Sequence, residues 1–233
     1  MKATLGIIGG MGPLASHAFY GQLIAETPAG CDQDHLHVII DSDPSIPDRT
    51  AFLLDDGPDP RPAIVAAGQR LISAGADLLV MPCNTANAFV ADIRPQLGVP
   101  VFDWIGTAVA TVLESGAAKV GILATDGTLK TGLYQSALRA AGIESVVPPA
   151  EQQAAVMRVI YEGVKASGAS PTHEQELIEA ALDLEAHGAD GLLLGCTELP
   201  LAVPAADERW PIPAVDPSLA SARRIVAQLL AAD

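Results

Sequence analysis

The strongest constraint on the 233-residue chain is that it repeats itself at half its length. Leu5-Gly6-Ile7-Ile8-Gly9-Gly10-Met11-Gly12 aligns with Val120-Gly121-Ile122-Leu123-Ala124-Thr125-Asp126-Gly127. Gly75-Ala76-Asp77-Leu78-Leu79-Val80-Met81-Pro82-Cys83 aligns with Gly188-Ala189-Asp190-Gly191-Leu192-Leu193-Leu194-Gly195-Cys196, and Val99-Pro100-Val101-Phe102-Asp103 with Ile212-Pro213-Ala214-Val215-Asp216. The offsets are 115, 113 and 113 residues. A single Gly-Ala-Asp before an apolar run is common in α/β chains. Three matches in one order at a nearly constant period mark a duplicated unit.

Within that period, apolar runs alternate with helical segments. Strands are predicted at 4–8, 37–41, 78–81, 99–102, 120–124 and 191–194, and helices at 62–74, 107–115, 129–141, 174–187 and 218–231. Continuous apolar strands with helices between them predict an α/β fold of two pseudo-symmetric halves, each a mostly parallel sheet with flanking helices. Aromatics are only 4% of the chain, so the core is expected to be Ala, Val, Leu and Ile. Ligands in open α/β sheets bind at the carboxyl ends of strands. Cys83 and Cys196 each follow such an end, which predicts a shared cleft with a thiol on either side.

The charge balance narrows the function. With 13 Lys and Arg against 28 Asp and Glu, the net charge is −15. That field repels phosphate backbones and anionic lipid, so neither nucleic acid nor a membrane surface is expected as a partner. It also makes any cation near a site informative. No apolar run approaches the ~18 residues that span a bilayer. The N-terminal apolar stretch is too short for a signal peptide and reads as a first strand, so a cytoplasmic location with reduced thiols is expected. Three cysteines cannot all pair, and no C-x-x-C occurs, so neither a disulfide framework nor a metal site is expected. Cys31, in a loop with Gly30, Asp32 and Gln33, reads as incidental.

A buried cysteine is often just a small hydrophobe. Two at equivalent repeat positions, each followed by polar residues, point instead to chemistry. Exchanging the configuration of an amino acid removes the Cα proton from one face and returns one to the other. Without pyridoxal phosphate to spread the charge, two acid–base groups must flank the carbon. Free cysteine titrates near ~8.5 and falls at a helix N-terminus, so a thiol and a thiolate can coexist near neutral pH. Asn84 and Thr85 after Cys83, and Thr197 and Glu198 after Cys196, read as helix-start residues whose groups can hold a substrate carboxylate. Thr125 and Thr128 in the second half, and Met11 and Gly12 in the first, lie on the corresponding strand–helix loops. The loop Gly9-Gly10-x-Gly12 lacks G-x-G-x-x-G spacing, and Pro13 makes it a turn into a helix. A dinucleotide site is therefore not expected, and no cofactor is.

Gly6-Ile7-Ile8-Gly9-Gly10-Met11-Gly12-Pro13, Ile46-Pro47-Asp48-Arg49-Thr50, Pro82-Cys83-Asn84-Thr85 and Leu194-Gly195-Cys196-Thr197-Glu198-Leu199 together resemble the aspartate/glutamate racemase family, in its aspartate racemase branch. The resemblance covers essentially the whole chain. It implies two Rossmann-like domains, 1–103 with 215–233 and 104–214, the C-terminal helix returning to the first. It also implies a pyridoxal-independent two-thiol racemase, usually a homodimer, acting on a small amino acid. Cys83 and Cys196 match the catalytic thiols. Asn84, Thr85, Thr125 and Thr197 match positions that hold the amino and α-carboxylate groups. Arg49 and Lys165 match the cations facing a distal carboxylate, which favours aspartate, with glutamate or a broader range open. Arg49 is placed in a Pro-rich loop bordering the cleft. Glutamate racemases proper resemble Asp-Ser-Gly and Gly-Cys-Thr-His where this chain has Gly9-Gly10-Met11 and Gly195-Cys196-Thr197-Glu198, which argues against a dedicated glutamate racemase. Maleate isomerases, hydantoin racemases and arylmalonate decarboxylases on the same scaffold are the alternative, followed by a non-catalytic amino-acid-binding protein.

Overall fold

Each half of the chain builds a sheet around a central strand with apolar side chains on both faces. The computed structural model describes residues 3–166 and 168–231. The chain divides into two compact units, one running to Trp104 and resuming at Ser218, the other Ile105–Pro217.

In the first unit, β1 (Leu5–Gly9) lies between β2 (Val38–Ser42) and β3 (Leu78–Val80), all parallel. Every residue of β1 is buried, as a strand covered on both faces requires. The helix Arg61–Ser73 brings Ile64, Ala67 and Leu71 into a core with Ile8 and Leu79. The helix Pro13–Glu26 starts on its proline and buries Ala15, Phe19 and Leu23. The strand predicted at 99–102 contracts to a single parallel bridge between Leu79 and Val101. Pro100 has no N–H for a ladder, and the chain turns into the helix Trp104–Ser115 immediately afterwards.

The second unit repeats the plan. Its strands are β4 (Lys119–Ala124), β5 (Glu144–Val146), β6 (Gly191–Gly195) and β7 (Ala214–Val215), parallel in the order β5-β4-β6-β7. Val120, Ile122, Ala124 and Leu193 pack with Ala108, Val112, Tyr134 and Leu138. Leu123, Leu192 and Leu194 join Val156, Ile160, Leu177, Ala181 and Leu184 in a separate cluster. The two faces of the strands thus feed two cores, which is the period of two expected of a strand. The helix predicted at 129–141 is two helices, Asp126–Thr131 and Leu133–Ala140, broken at Gly132.

The duplicated Gly-Ala-Asp has a physical role in both units. Gly75 and Gly188 follow the helices Arg61–Ser73 and Pro171–Ala186 with φ of 103° and 86°, a left-handed cap that a side chain would strain. The aspartate then ties down the start of the central strand. Asp77 Oδ2 accepts the Thr4 N–H at 2.8 Å, and Asp190 accepts from the Ala118 and Lys119 N–H groups at 2.9–3.0 Å. Among the described residues no helix is long and apolar enough to cross a membrane.

Candidate active site

In the first unit, β3 delivers Met81-Pro82-Cys83 to the end of the sheet, where Cys83 is a buried free thiol. The Asn87 amide holds the loop by donating to the carbonyls of Met81 at 3.1 Å and Cys83 at 2.9 Å. The helix start expected there is a 3-10 turn, Thr85–Phe89, which runs on into the short helix Val90–Ile93. Asn84 is not a side-chain cap. It has helical backbone angles, and its Oδ1 accepts from Trp104 Nε1 at 2.8 Å. Thr85 is buried beside it in the sequence.

Arg49 departs from its expected setting. It is the first residue of a short helix, Arg49–Leu54, capped by Asp48, whose Oδ1 accepts the Ala51 N–H at 2.8 Å. It is buried, with Nη2 donating to the Met11 carbonyl at 2.9 Å and Nη1 to that of Pro47 at 3.1 Å. The guanidinium therefore ties the Met11-Gly12 loop to the Ile46-Pro47 turn. That loop is also fixed from the other side. Ser16 Oγ accepts the Gly10 N–H at 3.0 Å and donates to the Gly12 carbonyl at 2.9 Å. Gly10 has a φ of 89°, and a Cβ there would overlap the Asp43 backbone.

In the second unit, β6 delivers Cys196, also buried and free. The helix after it is only Leu199–Ala202. Cys196 Sγ donates to Glu198 Oε2 at 3.1 Å, and Thr197 Oγ1 donates to the same oxygen at 3.0 Å. Glu198 is 3% exposed, and its other oxygen, Oε1, is buried with no hydrogen-bond partner. Burial pushes the Cys196 thiol well above its ordinary range; the Glu198 charge pushes it further, and Lys165 partly offsets both. The expected lowering at a helix start is thus reversed here, because a four-residue helix offers little dipole to set against desolvation. Cys196 holds its proton.

Thr125 caps the helix Asp126–Thr131, its Oγ1 accepting the Thr128 N–H at 3.1 Å with the two hydroxyls 3.0 Å apart. Lys165 follows a π-helical turn, Val159–Val164, and its Nζ lies 4.5 Å from the centroid of the Tyr161 ring. The second unit therefore carries Cys196, Thr197, Glu198, Thr125, Thr128 and Lys165, and the first carries Cys83, Asn84, Thr85, Met11, Gly12 and Arg49. Sequence reasoning did not single out Asn87, Ser16, Tyr161 or Trp104. The second asparagine of Cys83-Asn84-Thr85-Ala86-Asn87 was the available signal for Asn87. Trp104 carried none, since its partner is distant in sequence. Among the described residues, no group of three or more His, Cys, Asp or Glu is placed to hold a metal ion.

A family model for Asp/Glu/hydantoin racemases matches residues 8–225. The chain belongs to that family. An aspartate racemase of Picrophilus torridus is similar in structure, with a TM-score of 0.82 and 31% identity over 97% of this chain and 94% of that one. An aspartate racemase homologue of Pyrococcus horikoshii gives a TM-score of 0.77 and 26% identity with both chains fully covered. The broad specificity amino-acid racemase RacX of Bacillus subtilis (strain 168) is 28% identical over 234 residues, 97% of this chain and 98% of that protein. By this membership the Asp/Glu/hydantoin racemase-family chain is a racemase-type isomerase.

Proposed function

We propose that this racemase-family enzyme interconverts the enantiomers of a free acidic amino acid, aspartate foremost, without pyridoxal phosphate. Cys83 and Cys196 are its two acid–base thiols. The observation that carries the reading is the pair of buried free thiols at equivalent strand ends of two duplicated units. One thiolate takes the Cα proton from one face and the other thiol supplies a proton to the opposite face. Cys196, holding its proton beside Glu198, is the acid in one direction, and the two thiols exchange roles on return.

The carbanion's charge spreads into the α-carboxylate, so donors on that group act most strongly in the transition state. Asn84, Thr85, Thr125, Thr128 and Thr197 are the residues assigned to it and to the amino group, with the Met11-Gly12 loop beside Arg49. The unpartnered Oε1 of Glu198 is suited to the substrate's ammonium, since a buried carboxylate oxygen without a donor is costly to leave so. Arg49 and Lys165 are assigned to the distal carboxylate, which selects a dicarboxylic amino acid. The enzyme acts as a homodimer in the cytoplasm on this reading.

The test is incubation of the reduced enzyme with L- and D-amino acids in D2O, following the Cα–H signals by NMR. Loss of signal for aspartate is expected, with racemisation slowed at least about a thousandfold in both Cys83→Ala and Cys196→Ala, even where the remaining thiol still exchanges the Cα proton of one enantiomer. Retained racemisation in either variant overturns the mechanism. Exchange confined to glutamate or neutral amino acids corrects the substrate instead.

A further inference from the structure

Two asparagines serve the Cys83 loop, and they differ in what fixes them. Asn87 is held by backbone carbonyls on its own loop. Asn84, the residue after the thiol, is held by an indole. Its side chain is buried, and Oδ1 receives Trp104 Nε1–H at 2.8 Å. An indole nitrogen can donate but never accept, so it can meet only the oxygen end of a primary amide. The bond therefore selects one of the two flips of the Asn84 amide, with the carbonyl toward Trp104 and the NH2 group turned away.

We infer that Trp104 is a positioning residue for the reaction: it locks Asn84 in the flip whose N–H groups face the substrate's α-carboxylate. The inference rests on the reading above, in which Asn84 binds that group. The opposite flip sets NH2 against the indole N–H and turns a carbonyl oxygen on the carboxylate. One rotation thus makes a donor–donor clash and an acceptor–acceptor clash together, both away from water. The lock is itself rigid. Trp104 is 1% exposed, its ring tilted against Phe19 with centroids 5.5 Å apart. It opens the helix Trp104–Ser115, so its backbone is held as well as its ring.

The experiment is a double-mutant cycle on aspartate racemisation. Trp104→Phe keeps an aromatic ring and removes the donor, while Asn84→Ala removes the amide. Loss of one neutral hydrogen bond corresponds to a fall of about two- to tenfold in kcat/KM for Trp104→Phe. In the Asn84→Ala background the same substitution is expected to change kcat/KM no further. An equal fall in both backgrounds means Trp104 acts only on packing, and the inference fails while the role of Asn84 stands. An Asn84→Ala enzyme with full kcat/KM removes the role of Asn84 and the inference with it.

Should Trp104→Phe fail to fold, the wild-type enzyme labelled with 15N-tryptophan supplies the second readout. The chain has two tryptophans, and Trp210→Phe assigns the indole cross-peaks. Adding aspartate is expected to move the Trp104 indole N–H signal in the parent and leave it in place in Asn84→Ala. A signal unmoved in the parent at saturating aspartate overturns the inference.

Discussion

Cys196 and Cys83 occupy equivalent places in the repeat, yet their neighbours are an acid on one side and an amide on the other. Glu198 Oε2 collects hydrogen bonds from both Cys196 and Thr197, and its charge is one of the causes that raise the Cys196 thiol. Replacing that charge therefore has a defined sign. In a Cys31→Ser/Cys83→Ser background, Glu198→Gln is expected to lower the pH at which Cys196 ionises, read from the ultraviolet absorbance of the thiolate. The midpoint stays above that of a free cysteine, because burial, the larger cause, is untouched. An unchanged midpoint would mean that Glu198 does not act on the thiol. The pairing of the two cysteines was legible in the sequence as a repeat. The direction of the Cys196 shift was not, because it depends on burial and on how long the following helix runs. Arg49 shows the same limit: its motif is visible in sequence, but a cap at Asp48 and carbonyls on a distant loop decide that it is buried.

At the level of elements, the repeat explains why the two sheets form in the same order. Gly75 and Gly188 stop a helix, and Asp77 and Asp190 hold the first N–H groups of the central strand. Backbone donors hold the Asp190 carboxyl below its usual range. A depressed carboxyl stabilises the fold above its unfolded value of 3.8, and that stability is lost as pH falls through the folded value. Asp190→Ala is expected to cost about 1 kcal/mol at neutral pH, a figure held low because the site is exposed. Thermal or urea unfolding measures it, and the difference from the parent should shrink as pH falls below 3.8 towards the lowered folded value. The apolar strands β1, β4 and β6 could be read directly from their runs. The short edge strand β5 could not, because Glu144-Ser145-Val146 has no apolar run; it pairs with β4 and packs Val146 on the core beside it. The helix Ala150–Arg158 was hidden similarly by a polar, glutamine-bearing face.

At the level of the whole molecule, the net charge of −15 opposes the approach of an anionic substrate. Raising ionic strength from about 0.01 to 0.15 M shortens the screening length from about 30 to 8 Å. On the proposed substrate this should raise kcat/KM for aspartate by about two- to threefold and leave that for a neutral amino acid unchanged. A fall for aspartate would mean that attraction to the local cations outweighs the overall field.

The repeat is close in its scaffold and broken at its reactive ends, where Asn84-Thr85 stands opposite Thr197-Glu198. For a racemase this mismatch meets a thermodynamic bound, since mirror-image reactants have equal free energy and their equilibrium constant is unity. The Haldane relation then forces kcat/KM to be the same for both enantiomers, however unlike the two ends become. Divergence between the halves can only redistribute that fixed ratio, giving one enantiomer tighter binding with slower turnover and the other the reverse. The duplicated fold thus leaves evolution free to choose which enantiomer saturates the enzyme first, but not which way the reaction comes to rest.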